Sequence, residues 1–285
     1  MSSGKKLHKK HSLIGKIFEI LLLALLLVAF ILPFYYMIIS SFKSLTEAMN
    51  KVHPVWWPEV FHWENYVEAW QKANFLVYAK NSIILSVTCT AACIFVSVPS
   101  AFAFARMEFK GKKILWALTL SSMMVPAQCV FLPVFIMYGK LNLTNTYGGM
   151  ILLFTHSGST IFFLRNAFKQ ISNEVLEAAR LDGSSELTVM FKVTLPMAKP
   201  VILTMALMVF IRRWNDYFWN ITMTTNDHVR TLPFAVKQIG MAVDGGVPNY
   251  AVQMAAATML MAPMLIAYIF ANKKIKNAFV YSGIK

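Results

Sequence analysis

Long apolar stretches separated by short polar segments dominate the pattern of the chain. Six largely apolar windows stand out, at 18–40, 81–104, 114–138, 147–164, 200–223 and 250–272. An α-helix needs about 20 such residues to cross the hydrocarbon core of a bilayer. Because backbone groups in lipid must hydrogen-bond within their own segment, each window is predicted to be a helix. The pattern therefore predicts an all-α membrane protein with six transmembrane helices.

The composition excludes a soluble domain of this length. Of 285 residues, 57% are hydrophobic and 14% charged, and the mean hydropathy is +0.55. Such a chain uses the bilayer as its solvent. The first window follows a lysine-rich tail, lacks a small-residue cleavage site and is too long for a signal peptide, so it is predicted to be retained.

The distribution of basic residues predicts the orientation. The segments 1–18, 105–113, 165–199 and 273–285 contain 18 Lys and Arg, whereas the segments on the other side of the six-helix arrangement contain 7. Cytoplasmic segments carry the excess, so both termini are predicted to be cytoplasmic. The net charge of +14 then reflects topology and contact with anionic membrane lipid. Nucleic acid is a poor partner, because the charges are spread over four short segments.

The central polar segment, 166–199, is predicted to form a helix, a turn and a second helix. Ser172 or Asn173 can cap the first helix, and Gly183 can end it in a left-handed conformation. Ser184 or Ser185 can cap the second helix, which Pro196 is expected to stop. The side chains expected to pack the second helix against the membrane helices are Leu187, Met190 and Phe191.

The sequence of this segment also carries a resemblance. Glu177 to Pro196 reads EAARLDGSSELTVMFKVTLP, and its Glu-Ala-Ala, Asp-Gly and Leu-Pro spacing resembles the cytoplasmic coupling loop of ABC importer permeases of the carbohydrate-uptake, maltose-permease-like type. The ending AFAFAR at 101–106 and the motif WNDY at 214–217 resemble the same family. The chain departs from it at Ser172 and Asn220, where the family often has proline. The resemblance extends from about Phe42 to the end.

The resemblance implies a type I ABC importer permease fold and a division of labour. Residues 1–74 would form a basic tail, the first transmembrane helix and an outward aromatic segment. Residues 75–272 would form the permease core, with its coupling loop at about 166–199, and 273–285 a cytoplasmic tail. The first helix of the loop would dock in a cleft of an ATP-binding subunit. The coupling residues carried over are Glu177, Ala178, Ala179, Asp182, Gly183, Leu195 and Pro196.

Two arginines inside the fifth window are the other candidates for function. Counted from Pro200, Arg212 is expected about 18 Å along the helix, near the middle of a hydrocarbon core of about 30 Å. Charged groups at that depth face a cavity or a partner. Asp216, four residues on, could pair with Arg212 and leave Arg213 free. An arginine facing the cargo would favour a carboxylate or phosphate. The substrate-path candidates are Arg212, Arg213, Trp214, Asn215 and Asp216.

The chain lacks the phosphate-binding loop of an ATPase, GxxxxGK[ST]. Its histidines form no ligand pair at helical spacing. With the resemblance, this predicts a non-catalytic pore subunit without a bound cofactor or metal. The resemblance implies partners that bind ATP and Mg²⁺, namely two ATP-binding subunits. It also implies a second homologous permease subunit, in a heterodimer, and an extracytoplasmic solute-binding protein. The expected function is import of a sugar or oligosaccharide, neutral or acidic, across a bacterial inner membrane. An ion-coupled secondary transporter is the alternative, and a membrane-embedded enzyme is disfavoured because no catalytic cluster is evident.

Two further features have structural interpretations. The outward segment 41–78 is rich in aromatic residues, which indicates an interfacial belt with a short amphipathic helix, and stacking of a sugar on a tryptophan is the alternative. The three cysteines, Cys89, Cys93 and Cys129, fall in apolar windows and are interpreted as small packing residues.

Overall fold

The computed structural model describes residues 13–50, 53–72, 74–241 and 248–282, and the regular elements in these ranges are helices. The α-helices are α1 Leu13–Ser40, α2 Leu45–Met49, α3 Glu64–Lys72, α4 Phe75–Arg106, α5 Lys112–Met124, α6 Ala127–Lys140, α7 Tyr147–Leu153, α8 Gly158–Lys169, α9 Asn173–Leu181, α10 Glu186–Thr188, α11 Leu195–Trp214, α12 Phe218–Met223, α13 Leu232–Ile239 and α14 Tyr250–Ser282. A π-helical segment, Val189–Thr194, joins α10 to α11.

The described residues contain fewer unbroken membrane spans than the six predicted. Three helices are long and apolar enough, Gly15–Ser40, Phe75–Arg106 and Glu186–Trp214, and there are up to five spans if two bent pairs are each counted as one. The sixth window lies in α14, whose described apolar part, Tyr250–Ile266, is shorter than a full span.

The third and fourth windows are not single straight helices, so this part of the prediction is wrong. Helices α5 and α6 meet at an angle of 106°, and α7 and α8 at 52°. The first bend occurs at Val125 and Pro126, which both have extended backbone conformations. Proline cannot donate a helical hydrogen bond and disfavours a helical conformation in the preceding residue. At the second bend, Ser157 starts α8 by accepting a hydrogen bond from the Thr160 N–H.

The fifth window also differs from the prediction at both ends. Pro196 does not stop the preceding helix; it lies in the first turn of α11, and the helical path runs from Glu186 to Trp214. The helix tolerates Pro196 because the turn before it is π-helical. Hydrogen bonds in that turn, such as Leu195 N–H to Met190 C=O, join residues five apart instead of the four of an α-helix. At the other end, α11 stops at Trp214 instead of continuing to 223.

Helix α4 lies at the centre of the fold and packs against α8 and α11. Its buried side chains, such as Phe102, share one hydrophobic cluster with Leu164 and Phe168 of α8 and Met205 of α11. By contrast, the apolar part of α1 is entirely unburied by the rest of the chain. Helix α1 therefore presents its side chains to lipid or to another chain, whereas α4, α8 and α11 form the scaffold of the functional segments.

Side-chain hydrogen bonds connect segments that are distant in sequence, on the side opposite the central loop. The Asn65 amide donates to the carbonyls of Ser41 and Lys43, both at 2.9 Å. The Asn81 amide donates to three carbonyls in 227–230, including that of Arg230 at 2.9 Å. The Ser82 hydroxyl accepts from the Leu232 N–H. These asparagines fix connections rather than face a ligand.

The aromatic segment presents its tryptophans at the surface. Helix α3 is short, and Trp56, Trp57, Trp63 and Trp70 are all exposed. Phe42 packs edge-on against Trp63, with ring centroids 4.7 Å apart. The lysine-rich tail at 1–12 and the last residues, 283–285, lie outside the described residues.

Candidate functional site

The first functional segment is the loop between α8 and α11, which we call the elbow (residues 170–194). Ser172 caps α9 by accepting from the Glu174 N–H at 3.2 Å, as the sequence predicts. Leu176 is 1% exposed, and Ala179 packs against the same cluster as α4 and α8. One face of α9 is therefore anchored to the membrane helices.

A tight turn ends α9. Gly183 has a φ of +80°, which confirms the left-handed conformation expected there. The Gly183 N–H donates to the Arg180 C=O and the Ser184 N–H to the Ala179 C=O. This pair of hydrogen bonds is a Schellman motif, which satisfies the last carbonyls of the helix. The turn is thus specified by one glycine.

An ion pair braces α9 against α10 across this turn. The Arg180 guanidinium donates to both Glu186 carboxylate oxygens, at 2.7 and 3.2 Å. These hydrogen bonds raise the pKa of Arg180 above its ordinary value. Ser185 caps α10 by accepting from the Thr188 N–H. The elbow is therefore a helix, a turn and a helix, as predicted, with its two parts tied together.

The outward face of the elbow combines exposed leucines with acidic side chains and has no partner among the described residues. Leu181 is 88% exposed and Leu187 66% exposed, and Glu177, Ala178 and Asp182 are exposed beside them. The prediction that Leu187 and Phe191 pack inward is wrong, since Phe191 is also exposed. The switch to π-helical geometry at Val189 changes the register, so that Val189 and Met190 are the buried pair.

Arg106, at the end of α4, connects the elbow to the central helix. Its guanidinium donates to the carbonyls of Phe168 and Ile171 and to the Asn173 side-chain oxygen. These acceptors are the end of α8 and the start of α9. Arg106 therefore fixes the position of the elbow relative to α4.

The second candidate site is a cavity of about 500 Å³, which lies at the bend between α5 and α6 and the bend between α7 and α8. Met123 and Ala127 line it from the bend between α5 and α6, and Phe154 and Gly158 from the bend between α7 and α8. The remaining lining residues are Cys93, Ser122, Leu153, His156, Ser157, Ser159, Val209, Arg212, Arg213 and Trp219. Broken helices expose polar backbone groups, which transporters use around their cargo.

Arg213 is held by its neighbours. Its guanidinium lies 3.7 Å from the Asp216 carboxylate and 3.6 Å from the centre of the Phe154 ring. Asp216 also accepts from the Trp219 N–H. The expected pair between Arg212 and Asp216 is wrong. Because α11 stops at Trp214, the chain turns and brings Asp216 to Arg213 instead.

Arg212 is the second arginine that lines the cavity. It is exposed, and none of the described side chains forms an ion pair or hydrogen bond with it. The sequence predicts Arg212 near the middle of the fifth membrane helix, but it lies in the last turn of α11, where that helix ends. His156 lines the same cavity. An unpaired guanidinium beside polar groups is suited to bind an anionic or hydroxyl-rich ligand.

The other two substrate-path candidates point elsewhere. The Trp214 indole N–H donates to the Leu260 C=O at 3.1 Å, and the side chain is buried. Asn215 donates to the Ile211 C=O and to the Met264 sulfur. Both residues therefore join the end of α11 to α14. Leu195 and Pro196, at the start of α11, follow the elbow directly, with Leu195 packed on the central cluster.

Comparison with known proteins places both segments within one family. Residues 93–277, well over half of the chain, match the profile of the binding-protein-dependent transport system inner membrane component. The chain belongs to this family. The elbow and the cavity both lie inside the matched range.

Relatives of this transport component match it along most of its length. The probable ABC transporter permease protein YurM of Bacillus subtilis is 29% identical over 92% of the chain and 86% of its own length. The arabinooligosaccharides permease protein AraQ of Halalkalibacterium halodurans is 27% identical over 90% and 91%. The diacetylchitobiose uptake permease protein NgcG of Streptomyces coelicolor is 29% identical over 90% and 85%.

A solved structure has the same fold. A chain of the bacterial ABC transporter involved in the import of the acidic polysaccharide alginate superposes with a TM-score of 0.80 at 24% identity, covering 92% of this chain and 98% of that one. A chain of the alginate transporter in complex with its pentasaccharide-bound periplasmic protein gives 0.65 at 16% identity. The transport component described here therefore has the fold of an ABC importer permease.

Two features of this permease were not predicted from the sequence. Arg106 is visible in the sequence as the end of AFAFAR, but simple helix packing accounts for that motif as well. The bends that open the cavity carry a weaker signal, Pro126 and the polar run His156–Ser159. Neither signal says which helices meet at the bends.

Proposed function

We propose that the chain is the transmembrane permease subunit of an ATP-driven, binding-protein-dependent importer of a sugar or oligosaccharide. The saccharide permeases among its relatives support the cargo class. The excess of basic residues on one side supports a multi-pass protein of a bacterial inner membrane with both termini in the cytoplasm. In this arrangement the elbow lies in the cytoplasm and the cavity lies along the transport path.

The subunit would work with three kinds of partner. Two ATP-binding subunits, which bind ATP and Mg²⁺, would supply the energy, and a second homologous permease would complete the pore. An extracytoplasmic protein would deliver the cargo. The complex of the alginate transporter with its periplasmic protein is an example of the last partnership. The permease itself would carry out no catalysis and would bind no cofactor.

The observation that carries this proposal is the exposed outward face of the elbow. A side chain such as Leu181, 88% exposed on a segment braced by Arg106 and Arg180, has a large hydrophobic area to bury against another protein. Glu177 and Ala178 lie on the same face. We assign this face to the cleft of an ATP-binding subunit. Motion of that subunit would reach α4 and α8 through the anchored side of α9, and α11 through Leu195 and Pro196.

Coupling can be tested by placing a charge on this face. Leu181→Asp should reduce both co-purification of the ATP-binding subunits and ATP-driven uptake more than 10-fold, because a carboxylate would have to be desolvated in the cleft. Leu141→Asp is the matched control, since Leu141 is also exposed, at 59%, but lies far from the elbow. Unchanged assembly and uptake in Leu181→Asp would refute the docking role. Uptake by the isolated chain under an ion gradient would instead support a secondary transporter.

The cavity supports an acidic cargo in particular. Arg212 has no counter-ion among the described residues, whereas Arg213 is already paired with Asp216. A carboxylate on the sugar would supply the missing partner and could accept two hydrogen bonds from the guanidinium. Arg212→Gln should therefore lower uptake of an oligouronate at least 10-fold relative to a neutral oligosaccharide. Lys80→Gln, which removes an exposed cation outside the cavity, should change neither. An equal effect on both sugars would argue against the acidic cargo.

A further inference from the structure

A second cavity shares no lining residue with the first. Its volume is about 590 Å³, and it lies between the loop that joins α4 to α5 and the end of α8. The residues that line it are Phe104, Glu108, Phe109, Gly111, Lys112, Lys113, Ile114, Trp116 and Arg165. The lining thus combines three cations and one carboxylate with aromatic and aliphatic side chains.

The carboxylate is already neutralised. Glu108 forms an ion pair with Lys112 at 2.8 Å, and Lys112 also donates to the Met107 C=O at 2.7 Å. Hydrogen bonding and attraction by Lys112 hold the pKa of Glu108 below its ordinary value, so this carboxylate stays ionised near neutral pH. Lys113 also attracts the Glu108 carboxylate, but neither Lys113 nor Arg165 forms an ion pair with any of the described residues.

Arg165 is fixed in place but has unused donors. Its Nε donates to the Phe104 C=O at 3.2 Å, and its guanidinium lies 4.0 Å from the centre of the Trp116 ring. Its two terminal amino groups have no acceptor among the described residues. The stacking and the Nε bond orient the guanidinium, so that binding an anion would cost little additional side-chain entropy.

The cavity opens onto an apolar surface of α5. Ile114, at its edge, is 68% exposed and Leu118, one turn further along, is 61% exposed. A ligand that fits both parts must have an anionic head and an apolar body. The bilayer contains such molecules at high concentration, and basic pockets between transmembrane helices on the cytoplasmic side are suited to their headgroups.

We propose that this cavity binds an anionic phospholipid of the cytoplasmic leaflet. The phosphate would lie between Lys113 and Arg165, and the acyl chains would run along Ile114 and Leu118. The leaflet assignment rests on the proposed orientation, because α8 leads from this cavity directly into the elbow. A lipid held here would contact α4, α5 and α8 at the level where the elbow is anchored.

Lipid binding to the purified protein tests this site. The full chain, with the subunits that co-purify, is delipidated in detergent and titrated with phosphatidylglycerol or phosphatidylcholine, and bound lipid is counted by native mass spectrometry. Lys113→Gln with Arg165→Gln should weaken phosphatidylglycerol binding at least 10-fold and leave phosphatidylcholine unchanged. Lys110→Gln with Lys169→Gln removes the same charge from exposed residues outside the cavity and should have no such effect.

Other outcomes overturn the proposal. Equal loss in the control pair would mean general attraction to a basic surface. Equal binding of the two lipids would remove the role of the headgroup, and displacement of phosphatidylglycerol by millimolar inorganic phosphate would identify a site for free phosphate instead. The single variant Lys113→Gln, which alters an exposed side chain only, should still weaken binding about threefold and guards against misfolding of the Arg165 variant. The titration uses neither ATP nor cargo, so its failure leaves the importer function untouched.

Discussion

The elbow and the transport cavity are both built where helices end, and both depend on arginine, but they use it in opposite ways. Arg180 within the elbow, and Arg106 at the end of α4 beside it, direct their donors at groups of the chain itself. In the cavity, Arg213 forms an ion pair with Asp216, although one of its terminal nitrogens has no hydrogen-bond partner among the described residues. Arg212, beside it, has neither an ion pair nor a hydrogen bond among the described residues. An arginine that is paired within the chain makes a segment rigid, whereas an unpaired one is available for a ligand.

The difference follows from what each segment must do. In the proposed function the elbow would transmit force and would have to keep its shape. Its cap, its turn and its brace are hydrogen-bonded internally, and its outer surface has no partner among the described residues. A segment that holds and releases cargo must gain bonds when the cargo arrives and lose them when it leaves. The cavity therefore keeps one guanidinium free and fixes the other as its support. Substitutions that exchange these two conditions should be the most informative.

The largest effect is expected when the supporting pair in the cavity is broken. Asp216→Asn leaves the Arg213 guanidinium buried without its counter-ion, which typically costs about 3–5 kcal/mol. Thermal unfolding of the purified complex measures this loss. Replacing both partners, as Arg213→Met with Asp216→Leu, should restore most of the stability. Arg212→Gln is the matched control and should change stability by less than about 0.5 kcal/mol, because the side chain is exposed and unpaired. Equal losses in Asp216→Asn and Arg212→Gln would remove the distinction between the two arginines.

The next effect is expected at Arg106. Arg106→Ala leaves several carbonyls at the joint between α8 and α9 without donors, and hydrogen bonds to charged groups contribute about 1.5–3 kcal/mol each. We expect faster hydrogen exchange in 170–182 and a fall of ATP-driven uptake by at least 10-fold. Arg106→Lys should not rescue uptake, because one ammonium cannot replace the planar fork. Lys110→Ala, in the same loop, should behave as the unmodified protein. Normal uptake in Arg106→Ala would show that the elbow does not need this anchor.

These contacts show how far the sequence leads. The apolar windows predict where α1, α4 and α11 lie, because a run of about 20 apolar residues has few other uses. Gly183 predicts its turn, because a left-handed backbone conformation favours glycine. The pairing of Arg213 could not be predicted. It depends on α11 ending at Trp214, after which the chain turns and brings Asp216 to Arg213. The bend at Pro126 and the π-helical turn before Pro196 likewise depend on tertiary packing, which periodicity does not record.

A smaller effect is expected at Gly158, where α8 packs closely against α5 at the wall of the cavity. A Cβ atom at Gly158 would lie 2.7 Å from the Ser122 hydroxyl and 2.8 Å from the Met123 side chain and the Thr119 carbonyl. Gly158→Ala must therefore push α8 away from α5, at a cost of about 1–3 kcal/mol. Gly148→Ala is the matched control, because nothing lies within 4 Å of its Cβ position. Thermal unfolding should separate the two variants. Equal stability would mean that α5 and α8 move apart freely at this contact.

The smallest effect is expected at the brace of the elbow, because Arg180 and Glu186 are both partly exposed, at 35% and 43% of their side chains. Exposed ion pairs contribute about 0.2–1 kcal/mol, and salt weakens them. A double-mutant cycle with Arg180→Ala, Glu186→Ala and the double variant should give a coupling energy in this range at low salt. Molar salt should reduce it further, whereas the effect of Arg106→Ala should persist, since that side chain bonds to neutral carbonyls. A coupling energy above about 2 kcal/mol would be typical of a buried ion pair instead. Because this pair spans the turn at Gly183, the rigidity of the elbow would then depend on the turn as much as on the anchor to α4.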